Sequence, residues 1–226
     1  NQDQYYFAYR PPYVLEFIYQ GIDYVMINNH FKCCGDGELD LNDTSDEEYR
    51  RLISNQLLEE FVNDTYPNKR VIILGDLNDS LTDEEEDNVF WNFLNSDLFL
   101  FADYSIANGT SSNWSFPGWP SHIDHILISN ELFTDFENSD ILTFKVDNYL
   151  LGGLNTYDNY ISDHRPVFMR FDFGNNIQGD INSDGTLDIL DVIAIVNLVL
   201  GNEYNEFADM NYDGTLNVMD VVIVVN

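Results

Sequence analysis

The stretch from Val71 to Asp79 constrains the fold most, because it combines a buried strand with polar side chains at its end. Four apolar and mostly β-branched residues, Val71–Leu74, predict a short buried strand that ends at Gly75. Asp76 and Asn78 follow two residues apart, so their side chains can point the same way. Open α/β sheets place ligands at the carboxyl ends of such strands. Because Gly-Asp and Asn-Asp also form ordinary turns, a functional interpretation requires matching residues elsewhere in the chain.

The segments before this stretch predict the strand–helix–strand order of an α/β layer. Residues 24–28 predict a strand that delivers Asn29-His30 at its end. Ser45 and Glu48 form the pattern of a capping box, and apolar residues at helical spacing continue the helix to about Tyr66. This helix leads directly into the buried strand.

Several shorter patterns predict the remaining elements. Further strands are expected over 5–9, 13–19, 121–129, 141–146 and 167–173. The first two of these are joined through Arg10-Pro11-Pro12 as a hairpin-like corner. A second capping-box pattern predicts a helix from Thr82 to about Leu94, with the acidic run 83–87 in its first turn, where the helix dipole favours it.

Charge limits the classes of partner. The formal net charge is −31 and no basic stripe offsets it, so the surface supplies no general attraction to nucleic acid or anionic membranes. An acidic surface attracts divalent cations instead. The chain has no run of about 18 apolar residues, so no membrane span is expected. Cys33 and Cys34 are neighbours that can form a strained ring, stay free or pair outside this chain.

The histidines and several carboxylates cluster in strand-end motifs. All four histidines lie in three such motifs, alongside Asp76, Asn78, Asp124 and Asp163. Phosphate ester hydrolysis needs an activated water, neutralisation of charge on the phosphoryl group and a route for protons. Carboxylates bind Mg²⁺, an Asp–His pair orients an imidazole, and an amide donates to a phosphate oxygen. The motifs therefore predict phosphoester chemistry.

The ordered motifs Asn29-His30, Gly75–Asn78, Ile123–His125 and Ser162–Pro166 resemble the endonuclease/exonuclease/phosphatase superfamily over residues 1–173. This resemblance implies a fold of the α/β (α+β) class, a two-sheet β-sandwich flanked by helices. The family also has an Asn and a metal-binding Glu on strands upstream of the first motif. Neither is present here, so the chain is expected to lack the N-terminal third of the domain.

The resemblance implies a role for each matching residue. His164 would bind the scissile phosphate or activate water, with Asp124 orienting it. Asp76 would position or deprotonate the nucleophile, and Asn78 would hold a phosphate oxygen. His30 would be a second acid/base group.

Two further residues and the catalytic metal also follow from the resemblance. Asp163 would ligate Mg²⁺ or Mn²⁺ together with Asp76, or lie next to a ligand. Tyr9-Arg10-Pro11 resembles the pancreatic deoxyribonuclease branch, in which this arginine lies by the substrate phosphates.

The end of the chain contains a duplicated loop pattern that is typical of calcium sites. Oxygen-bearing residues and a Gly at the sixth position recur 29 residues apart in 180–191 and 209–220. The expected Ca²⁺ ligands are Asp180, Asn182, Asp184, Thr186, Asp188 and Asp191 in the first loop, and Asp209, Asn211, Asp213, Thr215, Asn217 and Asp220 in the second. From residue 175 onward the chain has nine acids and no Lys or Arg, which indicates calcium-dependent folding.

Each loop is followed by an apolar helix, and this loop–helix duplicate resembles a type I dockerin repeat. The resemblance implies a small α-helical module with paired EF-hand-like loops and a cohesin-type partner bound through loop positions 10 and 11. Those positions carry Ile189-Leu190 and Val218-Met219 in place of small hydroxyl pairs, which leaves the partner open. The expected domains are 1–173 and 180–226, joined by a linker at 174–179.

These expectations combine into one function and two alternatives. The main hypothesis is a secreted or cell-surface, monomeric, divalent-metal-dependent phosphodiesterase that cleaves nucleic acid as an endonuclease and carries a dockerin tail. A phospholipid or inositol-phosphate phosphodiesterase of the same superfamily is the alternative enzyme, which exposed apolar loops would favour. A non-catalytic, dockerin-borne adaptor is the alternative from another class, against which the intact motif set argues.

Overall fold

A computed structural model describes residues 2–19, 21–137, 139–171, 178–182 and 186–225. It divides into two compact units, one formed by Asn1–Phe17 and Asp23–Phe171, the other by Ile18–Ile22 and Asp172–Asn226. Most of the predicted linker, 174–177, lies outside the described residues, as does the end of the predicted first domain at Phe173.

The secondary structure of the described residues is mixed. The strands are β1 (Tyr13–Tyr19), β2 (Ile22–His30), β3 (Arg70–Asp76), β4 (Phe99–Phe101), β5 (Asp124–Ser129), β6 (Asp140–Thr143) and β7 (Val167–Arg170). The helices are α1 (Gln2–Tyr6), α2 (Glu47–Thr65), α3 (Trp91–Leu94), α4 (Tyr104–Ala107), α5 (Phe133–Phe136), α6 (Gly153–Tyr160), α7 (Ile189–Gly201) and α8 (Val218–Val224). Among these helices, none has the length and hydrophobicity that crossing a membrane requires.

The strands form a five-stranded sheet in the order β1-β2-β3-β5-β4 and a two-stranded sheet of β6 and β7. β2 and β3 pair in parallel and are connected through α2, as the strand–helix–strand pattern predicts. β3 and β5 are antiparallel. The predicted fold class, mixed α/β with two sheets and flanking helices, is confirmed.

β3 occupies the middle of the larger sheet and supplies much of its core. Val71 and Ile73 are each 1% exposed and belong to the same apolar cluster as Leu58 and Val62 of α2. Burying side chains of this size stabilises the fold by about 1.5–3 kcal/mol each. The apolar run that marks β3 in the sequence therefore anchors the polar residues that follow it.

Gly75 lets β3 approach β2 closely where both strands end. Its φ is +135°, and a Cβ atom added there would lie 1.9 Å from the carbonyl oxygen of Asn29. A residue with a side chain would therefore strain the backbone and separate the two strands. With glycine in place, His30 lies in register with Asp76.

The expected strand at 5–9, with its hairpin-like corner, is wrong. These residues form the end of α1 and a turn in which Ala8 and Tyr9 have φ of +50° and +59°. The backbone N–H groups of Phe7, Ala8 and Tyr9 donate to carbonyls three to five residues earlier, and these bonds close helical turns in place of a strand.

The start of α2 also differs from the prediction. Asp46, not Ser45, is the N-cap, and its carboxylate accepts a 2.8 Å hydrogen bond from the Tyr49 backbone N–H. Glu48 is buried and accepts a hydrogen bond from the Gly37 backbone N–H instead of capping the helix.

The predicted helix from Thr82 to Leu94 is wrong except for α3 at its end. The preceding residues form turns that the Asn88 side chain holds. Its amide donates to the carbonyls of Leu81 and Asp83, and its oxygen accepts the Phe90 backbone N–H. These bonds replace the backbone bonds of a helix.

The last three strands are shorter than predicted. β5 begins inside its predicted range, and β6 and β7 end inside theirs.

Candidate active site

Three strand ends meet at one edge of the five-stranded sheet. Asp76, the last residue of β3, lies opposite Asp124, the first residue of the antiparallel β5. His30, the last residue of β2, lies in register with Asp76 on its other side. The strand pairing therefore places two carboxylates and one imidazole side by side.

His164 completes this edge from the loop before β7. Its Nδ1 lies 2.7 Å from Asp124 Oδ2, and since a carboxylate only accepts, Nδ1 carries the proton. Its Nε2 lies 4.0 Å from Asp76 Oδ2. The Tyr157 hydroxyl donates to the His164 carbonyl and the Phe116 ring packs on the imidazole at 4.8 Å. These contacts fix the orientation of the imidazole.

The charges at this edge shift two pKa values. The hydrogen bond to Asp124 is the main cause that raises the pKa of His164, and the charges of Asp124 and Asp76 add to it against the effect of partial burial. Burial, followed by the charge of Asp124, raises the pKa of Asp76, which the histidines only partly offset. Both the imidazole of His164 and the carboxylate of Asp76 therefore bind protons more readily than usual.

Arg10, His30 and Asn78 surround Asp76. Arg10 Nη1 lies 2.8 Å from His30 Nε2, which accepts the bond because a guanidinium only donates, and His30 Nε2 is 3.5 Å from Asp76 Oδ2. Arg10 Nη2 and Asn78 Nδ2 both donate to the Phe31 carbonyl. The Asn78 backbone N–H donates to Asp76 Oδ1 and so holds this carboxylate in place.

The structure brings together all but one of the sequence-predicted active-site residues. Ligand atoms of Asp76, Asp124 and His164 all lie within 4.8 Å of one another. The carboxylate oxygens of Asp76 and Asp124 are ligands that a divalent cation accepts, so these two residues fit a catalytic metal with His164 beside them. Asp163 is exposed and is not part of this group.

His122 and His125 are not at this edge but in the interior, where they share Asp103. His125 Nδ1 lies 2.6 Å from Asp103 Oδ2 and its Nε2 lies 2.9 Å from the Asp79 carbonyl. Because both partners are acceptors, both ring nitrogens carry protons and His125 is an imidazolium. His122 Nε2 lies 3.0 Å from the same carboxylate oxygen, and its Nδ1 accepts the Ser115 backbone N–H.

The pKa values agree with a buried ion pair. Burial lowers the pKa of His125, but the neighbouring Asp103 charge outweighs it and the pKa is raised. Burial opposes ionisation of Asp103, yet the His125 charge holds its pKa well below the usual range. The protonated ring nitrogens leave no ligand atom for a metal, so this group is structural. Consecutive side chains of a strand point to opposite faces, so the sequence could have shown that His125 does not lie on the same face as Asp124. No sequence pattern identifies Asp103 as the partner of His125.

The two predicted calcium loops of the second unit share backbone hydrogen bonds as well as a sequence pattern. Asp220 Oδ1 accepts the backbone N–H groups of Met210 and Asn211, and its Oδ2 accepts that of Asn217. Asp191 accepts the same three bonds in the first loop, from Ile181, Asn182 and Asp188. The predicted ligand Asp184 lies outside the described residues.

Four carboxylates of these loops are buried. Asp180 and Asp209 at the first loop position and Asp191 and Asp220 at the twelfth are at most 5% exposed. Carboxylate oxygens at this loop spacing fit Ca²⁺.

The end of the chain matches a known protein family. Residues 178–226 match the family described as the dockerin type I domain, which confirms the predicted resemblance. No curated protein sequence matches the chain significantly.

Solved structures resemble the first unit. TDP2 of D. rerio in complex with a single-strand DNA product superposes with a TM-score of 0.52 at 14% identity, over 72% of this chain and 62% of that one. An endonuclease/exonuclease/phosphatase from Bacteroides vulgatus gives 0.44 at 12% identity over 72% and 56%. An AP endonuclease from Archaeoglobus fulgidus gives 0.45 at 15% identity over 70% and 65%.

These likenesses concern the fold. The first of them shows that about 72% of the chain shares its fold with that structure. The chain spans less than two thirds of the length of each of these structures.

The buried ion pair predicts the cost of removing its carboxylate. Asp103→Asn leaves the His125 imidazolium without a counter-charge and should lower the free energy of unfolding at pH 6 by about 3–5 kcal/mol. The raised pKa of His125 and the lowered pKa of Asp103 make this contribution full between about pH 4 and pH 6.5. It is lost as the pH rises through the folded-state pKa of His125 or falls through that of Asp103.

Urea denaturation followed by tryptophan fluorescence measures this change, because all three tryptophans, Trp91, Trp114 and Trp119, lie in the first unit. The exposed Asp97 serves as a control, and Asp97→Asn should change the free energy by less than about 0.5 kcal/mol. Equal effects of the two substitutions would contradict the ion pair.

Proposed function

We propose that the first unit is a divalent-metal-dependent phosphodiesterase that cleaves nucleic acid, and that the dockerin tail attaches it to a cohesin-type partner. The observation that carries the enzymatic part is the His164–Asp124 pair, whose free Nε2 faces Asp76 at 4.0 Å. An oriented imidazole opposite a carboxylate provides both charge stabilisation and a proton acceptor.

The geometry suggests a division of roles in hydrolysis. Asp76, with its raised pKa, accepts a proton from the attacking water as the new P–O bond forms and the ester P–O bond breaks, and the leaving oxygen takes a proton from solvent water. The His164 imidazolium donates from Nε2 to a phosphate oxygen and stabilises its growing negative charge. Asn78 and Arg10 offer further donors, and His30 is a second group for proton exchange.

Mg²⁺ or Mn²⁺ would supply neutralisation of the phosphate charge in such a site. Asp76 and Asp124 would be its carboxylate ligands at the strand edge. Asp163, which the sequence resemblance implies as a ligand or as a neighbour of one, would lie next to them. Hard, oxygen-preferring cations suit these carboxylates.

Arg10 supports nucleic acid as the substrate, because its hydrogen bond to His30 places a positive charge at the strand edge. The D. rerio TDP2 structure, which has a TM-score of 0.52, holds a single-strand DNA product. The net charge of −31 opposes general attraction to DNA, so binding would depend on these few cationic groups and the metal.

One observation favours the phospholipid or inositol-phosphate alternative. Tyr149 and Leu151 before α6 are 78% and 99% exposed, and Tyr160 at its end is 84% exposed. α6 also carries Tyr157, which contacts His164. The chain therefore has the exposed apolar loop that the sequence pattern did not reveal, next to the candidate active site.

Plasmid nicking with Mg²⁺ or Mn²⁺ tests the proposal. His164→Ala should reduce the rate at least about 100-fold, because it removes the oriented imidazole. Asp158→Ala, an exposed residue of α6, is the matched control and should leave the rate unchanged. Both variants are also prepared in a longer form that includes the predicted upstream strands.

The other outcomes separate the alternatives. Cleavage of phospholipid vesicles but not of plasmid, lost in His164→Ala, would retain the enzyme class and replace the substrate. If the longer form hydrolyses neither plasmid nor phospholipid, the result would favour the non-catalytic adaptor.

The tail proposal is supported by exposed apolar residues at the two expected loop positions. Ile189 and Leu190 are 65% and 55% exposed, and Val218 and Met219 are 64% and 54% exposed. Aliphatic residues on a surface this polar are typical of a protein interface. Dockerin domains occur on extracellular proteins, so we place this protein outside the cell or on its surface.

A double substitution tests the tail. Ile189→Asp with Val218→Asp should abolish Ca²⁺-dependent binding to a panel of cohesin domains in calorimetry, because two charges would be desolvated in the interface. Leu200→Asp, at a residue that is 79% exposed at the end of α7, should retain binding. Undiminished binding by the double variant would refute the proposed surface.

A further inference from the structure

We propose that the loop between β2 and α2 holds a Ca²⁺ ion on the carboxylates of Asp36, Asp46 and Glu48. The site is separate from the Asp76 edge and from both loops of the dockerin tail. Its residues come from a segment rich in Gly, Asp and Asn that the proposed enzymatic role does not use.

The distances between the carboxylates fit a single cation. One oxygen from each of Asp36, Asp46 and Glu48 lies within 4.8 Å of the other two. Ca²⁺ binds oxygen at about 2.3–2.6 Å, so two oxygens on one ion are separated by at most about 5 Å. The three oxygens can therefore share one ion without rearrangement of the loop.

Glu48 provides the independent observation. The residue is 2% exposed, and its Oε1 accepts hydrogen bonds of 2.9 Å from the Gly37 backbone N–H and from Arg51 Nη2. Its Oε2 is buried and has no hydrogen-bond partner among the residues that the structure describes. A buried carboxylate oxygen without a partner is costly, and a bound ion is a recognised way to satisfy it.

The cationic side chains nearby are already engaged. Arg51 binds Glu48 through Nη2, Asp79 through Nε, and the carbonyls of Lys32 and Cys34 through Nη1. Lys32 pairs with Glu47 at 3.2 Å. Arg51 therefore neutralises the charge of only one of the three carboxylates, that of Glu48. The group keeps a net negative charge that attracts a cation.

The loop backbone is shaped around the Glu48 carboxylate. Gly35 has a φ of +112°, and a Cβ atom there would lie 2.1 Å from Glu48 Oε1. Asp46 is at the same time the N-cap of α2. An ion on these carboxylates would therefore tie the loop to the first turn of the helix.

Ca²⁺ suits this group better than other ions. All three ligands are carboxylates, which excludes soft metals, and an irregular, partly exposed loop suits the variable coordination of Ca²⁺ more than the strict octahedron of Mg²⁺. Water would complete the coordination on the side of the exposed Asp36.

The test is the number of Ca²⁺ ions that the full chain binds in calorimetric titration. Asp36→Asn should remove one ion or weaken its binding at least tenfold, while Glu38→Gln, the same charge change at an exposed neighbour, should leave binding as in the parent chain. A tail variant, Asp191→Asn with Asp220→Asn, should lose tail sites and retain the loop site. Unchanged tryptophan fluorescence verifies that the first unit, which holds the loop site, is folded in each variant.

Two results would overturn the proposal. Equal Ca²⁺ binding by the parent chain and Asp36→Asn would show that the loop holds no ion. Loss of Ca²⁺ binding at the loop site when Mg²⁺ is added at a concentration equal to that of Ca²⁺ would contradict the assignment of calcium.

Discussion

The opposition of Asp76 and Asp124 across β3 and β5 is the constraint on which the candidate active site depends. Antiparallel pairing fixes the two carboxylates beside each other, and burial raises the cost of charging both. His164 lies between the two carboxylates, where its Nδ1 binds Asp124 and its Nε2 faces Asp76. Because the two carboxylates repel each other, protons and cations bind favourably at these strand ends.

The same shortage of positive charge governs the rest of the molecule. The chain has nine Lys and Arg against 40 Asp and Glu. Arg51, Arg165 and the His125 imidazolium are buried, where they pair with Asp79, Asp147 and Asp103. Few cations are therefore left for the other carboxylates, and this charge balance supports the proposed metal sites in the loop before α2 and in the dockerin tail.

Sequence patterns predicted features that depend on neighbouring residues. The run Val71–Leu74, the periodicity of α2 and the duplicated loops each contain their own signal, and the structure has all three. The errors involve contacts that sequence order does not show. A helical turn with Tyr6 and Phe7 buried replaces an expected strand, and Asp103 pairs with histidines 19 and 22 residues away.

A titration of the His164 imidazole by NMR in the full chain tests the central claim most directly, because it needs no substrate. Assignment of its signal uses His164→Gln. The account predicts a pKa above the ordinary value of about 6.5, and a lower pKa in Asp124→Asn, because the bond to Asp124 is the main cause of the rise. A pKa that is ordinary in the parent chain, or the same in both, would contradict the proposed Asp124–His164–Asp76 arrangement.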